Sequence, residues 1–216
     1  AETMLLNILN FESLIATKAS RMRSVAGERI LSEFGLRRAQ GPGAVLATRA
    51  AMVGGFNSTS NVYAAQRYGL KVEGTMAHSY IVSHESEIEA FRSFAAARPD
   101  HSVFLVDTYD TLKSGVPNAI KVAKEMAENG NQLIGIRLDS GDLAYLSKHA
   151  RRMLDEAGLQ EVIIIVSNQL DEYLIKSLID QKAPIDVFGV GTSLITGQPD
   201  AALDGVFKLA VADGKP

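Results

Sequence analysis

The sequence predicts an α/β protein built on a parallel sheet, and two observations carry that prediction. Short β-rich runs end in polar, often glycine-containing clusters and then give way to segments of helical periodicity. Runs such as "VIIIV" are apolar throughout, as expected of strands buried on both faces. The seven candidate strands are Ile30 to Phe34, Lys71 to Thr75, Val103 to Val106, Leu133 to Leu138, Val162 to Val166, Asp186 to Val190 and Val206 to Ala210. This set favours a (β/α) barrel over a doubly wound sheet, with residues 1 to 216 forming one domain.

Amphipathic helices are predicted between the strands and before the first one. The N-terminal segment carries apolar residues at steps of three and four, which indicates one face of a buried or half-buried helix: Met4, Ile8, Phe11, Ile15, Ala19 and Met22. Ser86 and Glu89 have the spacing of a capping box, so a helix should begin there. A later helix should end at Gly158, since glycine is favoured just past a helix C-terminus.

Composition limits the functions that this chain can have. Its 216 residues are 46 % hydrophobic, enough for a substantial core, and 22 basic against 25 acidic residues leave a charge of −3, which argues against a general nucleic-acid binder. The absence of cysteine excludes disulfides and thiolate metal sites and suits the cytoplasm. The N-terminus lacks the pattern of a signal peptide or a membrane span. Because the sequence starts inside a helix pattern without methionine, we expect a piece of a longer protein.

Polar clusters follow nearly every candidate strand. They read "EFGLRRAQG", "GTMAHS", "DTYDT", "RLDSGD", "SNQLDE" and "GVGT". In a barrel or an open α/β sheet, active sites are built at the carboxyl ends of the strands. Turn formation alone would explain the glycines and serines, but it explains the charged members less well. Those members are Arg37, Arg38, His78, Asp107, Asp110, Arg137 and Asp139.

Two clusters have residues suited to anions. Gly189, Gly191 and Thr192 end an apolar strand, where backbone amides and a hydroxyl can hold a phosphate, although an ordinary strand-to-helix turn would look the same. Phe34 followed by Arg37 suits a planar anionic ligand, which would stack on the ring and pair with the guanidinium. The alternative is a core phenylalanine beside solvated arginines.

Two further clusters combine charges at strand ends. Arg137 and Asp139 are two residues apart, so their side chains should point the same way; arginine can grip a carboxylate or phosphate, and aspartate can accept from ribose hydroxyls. A simple ion pair closing the barrel mouth remains the alternative. Asp107 and Asp110 offer oxygen ligands for a cation or a sugar, but such residues more often cap helices, as does the polar run "NSTSN" at 57 to 61.

The stretch "GTMAHSYIVSHE" contains two histidines with different expectations. A metal site is disfavoured, because residues six apart do not share a helical face and no cysteine is present. We expect His84 to be exposed where a helix begins. His78 lies just beyond a strand end, where its imidazole can act as a base or nucleophile, unless it only supports a loop.

Taken in order, these stretches resemble the nicotinate phosphoribosyltransferase family over almost the whole chain. The match runs through "LLNILNFESLIATKASR", "EFGLRRAQG", "TSNVYAAQRYG", "GTMAHS", "DTYDT", "IRLDSGDL", "SNQLDE" and "FGVGT". The resemblance implies an irregular α/β barrel of the type II phosphoribosyltransferase kind, without the family's preceding sandwich-like N-terminal region. It also implies an ATP-stimulated condensation of nicotinate with 5-phosphoribosyl 1-pyrophosphate (PRPP) in NAD salvage, by a homodimer, and the absence of cysteine adds the expectation of a cytoplasmic location.

The resemblance also implies roles for individual residues around the pyridine ring. His78 is similar to the histidine that ATP phosphorylates. Thr75 and Arg137 look like nicotinate contacts, with Arg137 on the carboxylate, and Phe34 looks like the residue that stacks on the ring. Ser60 aligns with an aspartate of the related nicotinamide-specific enzymes, and because an aspartate would repel a carboxylate, the serine favours the acid.

The remaining implied roles concern PRPP. Asp139 resembles the ribose-hydroxyl contact, Gly191 and Thr192 match the 5-phosphate loop, and Arg37 fits a pyrophosphate contact. Mg²⁺ is expected on the phosphates of PRPP and ATP, with no metal ligand from the protein. The alternatives are a nicotinamide or quinolinate phosphoribosyltransferase, or an inactive barrel that only binds ligands or assembles.

Overall fold

The apolar runs of the sequence form parallel strands in the computed structural model, which describes residues 2–208 and 210–215. The strands are β1 (Ile30–Glu33), β2 (Ser58–Thr59), β3 (Val103–Leu105), β4 (Gly135–Leu138), β5 (Ile163–Val166) and β6 (Val187–Val190). Their order in the sheet is β2-β1-β6-β5-β4-β3, and all pairings are parallel. The first and last strands are therefore neighbours, and the other pairs join strands consecutive in sequence. This circular order is that of a barrel, as predicted, and not of a doubly wound sheet.

The segment Lys71 to Thr75 lies beside β2, but it is not the strand that the sequence predicted. Only Val72 forms a bridge, to Thr59, supported by a hydrogen bond from the Glu73 amide to the Thr59 carbonyl (3.0 Å). Charged residues on both sides of Val72 and a following glycine disfavour regular strand backbone. The segment thus extends the sheet next to β2 as an irregular piece.

Two other strand predictions need correction. The predicted strand Val206 to Ala210 has no strand residues at 206–208 or 210, and Leu209 lies outside the described residues. Val206 is 75 % exposed, and an apolar run without a buried face has no reason to be a strand. Conversely, β2 was missed because its two residues lie in a polar run and carry no apolar signal.

Helices cover the outside of the sheet. They are α1 (Glu2–Ala26), α2 (Gly43–Val53), α3 (Val62–Tyr68), α4 (His78–Val82), α5 (Glu87–Ala97), α6 (Val116–Glu128), α7 (Leu143–Glu156), α8 (Glu172–Asp180) and α9 (Thr192–Ile195). Phe104, Ile136 and Phe188 belong to the main core that the helices share. Alternate strand residues Val103 and Val187 form a second small cluster, which is the apolar filling inside the barrel.

The predicted helix termini agree with the structure. The Ser86 hydroxyl accepts a hydrogen bond from the Glu89 amide (3.3 Å) at the start of α5. Gly158 follows α7 with a φ of 81°, a conformation that glycine adopts without a steric penalty.

The N-terminal helix matches its prediction in only one half. Ile15 and Met22 are fully buried, whereas Met4 and Ile8 are 72 % and 61 % exposed. The C-terminal half of α1 packs on α2 and α8, where Lys18 forms a buried ion pair with Glu172 (2.5 Å). Although α1 is 25 residues long, neither it nor any other helix in the described part of the chain is apolar enough to cross a membrane.

Candidate functional site

The carboxyl ends of the strands gather their polar residues at one mouth of the barrel. Pairing places Arg137 level with Leu105 on one side and Ile165 on the other, and Leu138 level with Val166. Because side chains alternate along a strand, Arg137 and Asp139 share the inner face. The neighbouring strand supplies Ser167 by the same rule. The site is therefore made from residues that lie far apart in the sequence.

Arg137 is held by three side chains. Its Nη1 donates to the Thr75 hydroxyl (2.7 Å), its Nε to the Ser167 hydroxyl (2.9 Å) and its Nη2 to Oδ1 of Asp139 (3.0 Å). Its side chain is 15 % exposed, and its Cζ lies 5.5 Å from the centre of the Phe34 ring. These contacts leave one further N–H on each terminal nitrogen. A fixed guanidinium of this kind, next to an aromatic ring, is suited to a carboxylate on a flat ligand.

Phe34 is fixed by β6. Its amide donates to the Val190 carbonyl (2.8 Å). A Cβ atom on Gly189 would lie 2.5 Å from Cε2 of Phe34, and a Cβ on Gly191 would lie 3.2 Å from the Phe34 carbonyl oxygen. Gly189 therefore makes room for the ring, which is a packing role that the phosphate-loop interpretation did not include. Phe34 is only half-buried, so part of the residue stays open to a ligand.

Asp139 combines an ion pair with hydrogen bonds. Burial alone would raise its pKa, but the hydrogen bond from the Ser167 hydroxyl, the charge and hydrogen bond of Arg137 and the nearby His78 together lower that pKa below its ordinary value. The ion pair with Arg137, which the sequence left as an alternative to ligand binding, does exist. It uses Oδ1 and leaves Oδ2 for another partner.

His78 begins α4 and points toward two carboxylates. Its Nδ1 is hydrogen-bonded to the Thr108 hydroxyl (3.0 Å), and its Nε2 lies 3.7 Å from Oδ1 of Asp107 and 3.6 Å from Oδ2 of Asp139. The Asp107 Oδ1 atom is buried without a hydrogen-bond partner, while Oδ2 accepts from the Asp139 amide (2.8 Å) and the Ser140 hydroxyl (2.6 Å). The imidazole is 42 % exposed, so one ring nitrogen is anchored and the other is accessible beside acceptors.

The other predicted site residues lie around this centre without bonding to it. The Ser60 hydroxyl donates to the Glu33 carbonyl (3.2 Å), next to Phe34. Thr192 follows Gly191 as the first residue of α9, and Arg37 is exposed in a 3₁₀ turn at Leu36–Arg38.

Three polar residues named in the sequence have structural roles. His84 is half-buried rather than exposed, because its Nδ1 contacts the Tyr80 carbonyl (2.8 Å) and its ring lies 4.6 Å from the Tyr80 ring. Asp110 accepts from the amides of the turn that follows, as its capping alternative predicted. Asn61 likewise caps α3.

Sequence reasoning missed the supporting residues. Ser167 and Thr108 both lie in quoted clusters, and their strand-end positions were a usable signal for residues that hold Arg137 and His78. Glu33 begins the quoted cluster "EFGLRRAQG" but was given no role, because a glutamate at the end of a short strand is usually a surface residue. In the structure it is fully buried.

The chain forms an α/β barrel, and an arginine, a histidine and carboxylates lie at the carboxyl ends of its strands. This arrangement is typical of barrel enzymes, which carry their active sites at that end. The profile of the nicotinate phosphoribosyltransferase (NAPRTase) family matches residues 30–210, and the chain belongs to this family.

Similar proteins agree with that assignment. The chain is 54 % identical to nicotinate phosphoribosyltransferase of Bacillus subtilis (strain 168), over 99 % of this chain and 44 % of the relative. The crystal structure of human nicotinic acid phosphoribosyltransferase superposes with a TM-score of 0.81 at 33 % identity, over 88 % of this chain and 49 % of the human chain. The crystal structure of nicotinate-nucleotide pyrophosphorylase from Pyrococcus furiosus superposes with a TM-score of 0.79 at 32 % identity, over 90 % of this chain and 50 % of that chain. The chain thus spans about half the length of these relatives.

Proposed function

We propose that this protein acts as a nicotinate phosphoribosyltransferase, joining nicotinate to PRPP to give nicotinate mononucleotide and pyrophosphate in NAD salvage, with ATP hydrolysis through a phosphohistidine. The observation that carries the proposal is the Arg137 guanidinium, held by three side chains beside the Phe34 ring. Membership of the family supports the same activity. A homodimer and a cytoplasmic location stay predictions.

Nicotinate fits this arrangement through both of its parts. Its carboxylate would take the two remaining N–H donors of Arg137, and its flat ring would stack on Phe34. Thr75 orients the guanidinium and so acts on the same ligand. Burial of Arg137 excludes much of the competing water, which strengthens a charge-assisted hydrogen bond.

PRPP would lie further out, across the strand ends. Oδ2 of Asp139 is available for a ribose hydroxyl, the start of α9 at Gly191 and Thr192 would receive the 5-phosphate, and Arg37 would meet the pyrophosphate. The ring nitrogen of nicotinate then bonds to the anomeric carbon as the bond to pyrophosphate breaks, and the electron pair leaves with pyrophosphate. The charged transition state needs positioned groups and no protein nucleophile at the sugar. Mg²⁺ would arrive as part of the PRPP and ATP substrates.

His78 would couple this reaction to ATP. The lone pair of its Nε2 would attack the terminal phosphorus of ATP as the bond to ADP breaks, and ADP would leave with that electron pair. The ring proton would stay on Nδ1, where the Thr108 hydroxyl accepts it, and the carboxylates of Asp107 and Asp139 would stabilise the positive charge that develops on the ring. Thr108 holds the other nitrogen, so the ring is already oriented. Water would later cleave the phosphoimidazole bond and release phosphate.

The deciding experiment measures turnover of nicotinate, nicotinamide and quinolinate by the complete gene product with PRPP, with and without ATP. A preference for nicotinate that ATP increases supports the proposal. A preference for either of the other two bases refutes it, and ligand binding without any turnover would favour a barrel that only binds or assembles.

A separate experiment tests the phosphohistidine with labelled ATP. Wild type and His84→Ala should incorporate acid-labile phosphate, because His84 contacts only its own helix region. His78→Ala should incorporate none. Equal labelling of both variants would refute the role of His78.

A further inference from the structure

Glu33 is a fully buried carboxylate that the proposed reaction does not use. Its Oε1 accepts from the Gly35 amide, its Oε2 accepts from the Thr59 hydroxyl (2.6 Å), and the Thr48 hydroxyl shares its one proton between Oε2 (3.0 Å) and the Ala44 carbonyl (2.9 Å). All three partners are neutral donors, and a carboxylate, which only accepts, matches them. Such a network is costly to disturb, since any donor left alone in the interior loses its hydrogen bond without gaining water.

The same residue joins two segments of the candidate ring site. Through Gly35 it holds the turn that carries Phe34, and through Thr59 it holds the segment that carries Ser60. The Glu33 carbonyl also accepts from both the amide (2.9 Å) and the hydroxyl (3.2 Å) of Ser60. Glu33 therefore holds the segments of both Phe34 and Ser60 in place, through hydrogen bonds of its main chain and of its side chain.

Neither segment can easily shift on its own. A Cβ on Gly35 would lie 2.6 Å from Cβ of Ile195 and 2.9 Å from Oε1 of Glu33, so the turn is wedged between α9 and the carboxylate. On the other side, the Thr59 hydroxyl also accepts from the Asn61 amide (2.9 Å), which ties down the residue after Ser60. The hydrogen bonds of Glu33 thus fix the spacing between the turn that carries Phe34 and the segment that carries Ser60.

We propose that Glu33 is a positioning residue that sets the distance between the Phe34 ring and Ser60, and thereby the enzyme's choice between an acidic and an amide pyridine. This inference rests on the proposed function. Glu33 touches no substrate, because it has no exposed surface. It acts through two residues that would contact the ring and its substituent.

The test is the Glu33→Gln variant of the complete gene product, which keeps the shape but replaces one acceptor by a donor. We expect the KM for nicotinate to rise and the preference for nicotinate over nicotinamide to fall, each by about tenfold, because a small displacement of groups that contact the substrate costs factors of this size. The KM for PRPP should stay within about twofold of wild type. Thr59→Val, which removes one donor and keeps the shape of the side chain, should change the preference in the same direction and serves if Glu33→Gln does not fold.

Glu87→Gln is the matched control. Glu87 is also a buried glutamate, and its Oε2 accepts from Ser114 (2.6 Å) and Asn118 (2.9 Å), which contact neither Phe34 nor Ser60. Oε1 of Glu87 is buried without a hydrogen-bond partner, so the amide nitrogen of glutamine can occupy that position, and the variant should keep the substrate preference. If Glu33→Gln and Thr59→Val lose only stability or active fraction and keep the preference, as the control does, Glu33 is merely structural and the inference is overturned. Failure of wild type itself to use nicotinate would instead refute the proposed function.

Discussion

Replacement of Arg137 by lysine tests how the site would recognise a carboxylate. Three N–H groups of the guanidinium are used by Thr75, Ser167 and Asp139, and one on each terminal nitrogen remains for the ligand. A lysine ammonium carries its donors on one nitrogen and cannot reach these partners and two ligand oxygens together. The ligand should lose one of two charge-assisted hydrogen bonds, each worth about 1.5–3 kcal/mol, so affinity for nicotinate should fall about 10- to 150-fold.

The assay compares the KM for nicotinate with the KM for PRPP, because only the first should carry this loss. Arg151→Lys is the control. Arg151 also makes three contacts, to Asp155 (2.8 Å), the Leu159 carbonyl (2.7 Å) and the Val162 carbonyl (2.6 Å), but at the opposite end of the barrel. An unchanged KM for nicotinate in Arg137→Lys, or the same increase in Arg151→Lys, would refute the assignment of the carboxylate to Arg137.

Three further variants examine the surroundings of the site. Ser60→Asp should lower kcat/KM for nicotinate about tenfold or more by charge repulsion and raise the relative use of nicotinamide; equal effects on both bases would contradict this. Gly189→Ala puts a Cβ 2.5 Å from Phe34, so it should cost about 1–3 kcal/mol of stability and weaken nicotinate binding, which thermal melts and KM values would show. Because the pKa of Asp139 is lowered in the folded state, its contribution to stability is complete above the unfolded pKa and is lost as pH falls through the folded one. Melting temperature should therefore fall less steeply below about pH 4 in Asp139→Asn than in wild type, and parallel curves would contradict the linkage.

Alternation along strands made the centre of the site predictable. Arg137 and Asp139 are two residues apart at a strand end, and the structure brings them together with Thr75 and next to Phe34. The barrel order also followed from the strand pattern. The interpretation of Gly189 was incomplete, because only the folded chain shows that a ring from β1 lies against it.

Features that depend on distant partners were not predictable. Glu33 resembles a surface charge until Thr48 and Thr59 are placed around it. Periodicity identified α1 as a helix, but it could not tell which turns would be covered, so Met4 and Ile8 were assigned to a buried face that they do not occupy. A sequence pattern shows which side chains of a segment could be buried, but the elements that pack against the segment determine which of them are.

The pairing of β1 with β6 has a consequence for how the protein folds. It joins residue 30 to residue 187, the longest-range contact in the sheet, and closing so long a loop costs much chain entropy before the contact stabilises anything. The Phe34 ring lies across this seam, on Gly189 of the other strand. We therefore expect the ring site to form late in folding and to be lost early when the barrel opens. A ligand stacked on Phe34 would then stabilise the pairing of β1 with β6 and slow the separation of these two strands.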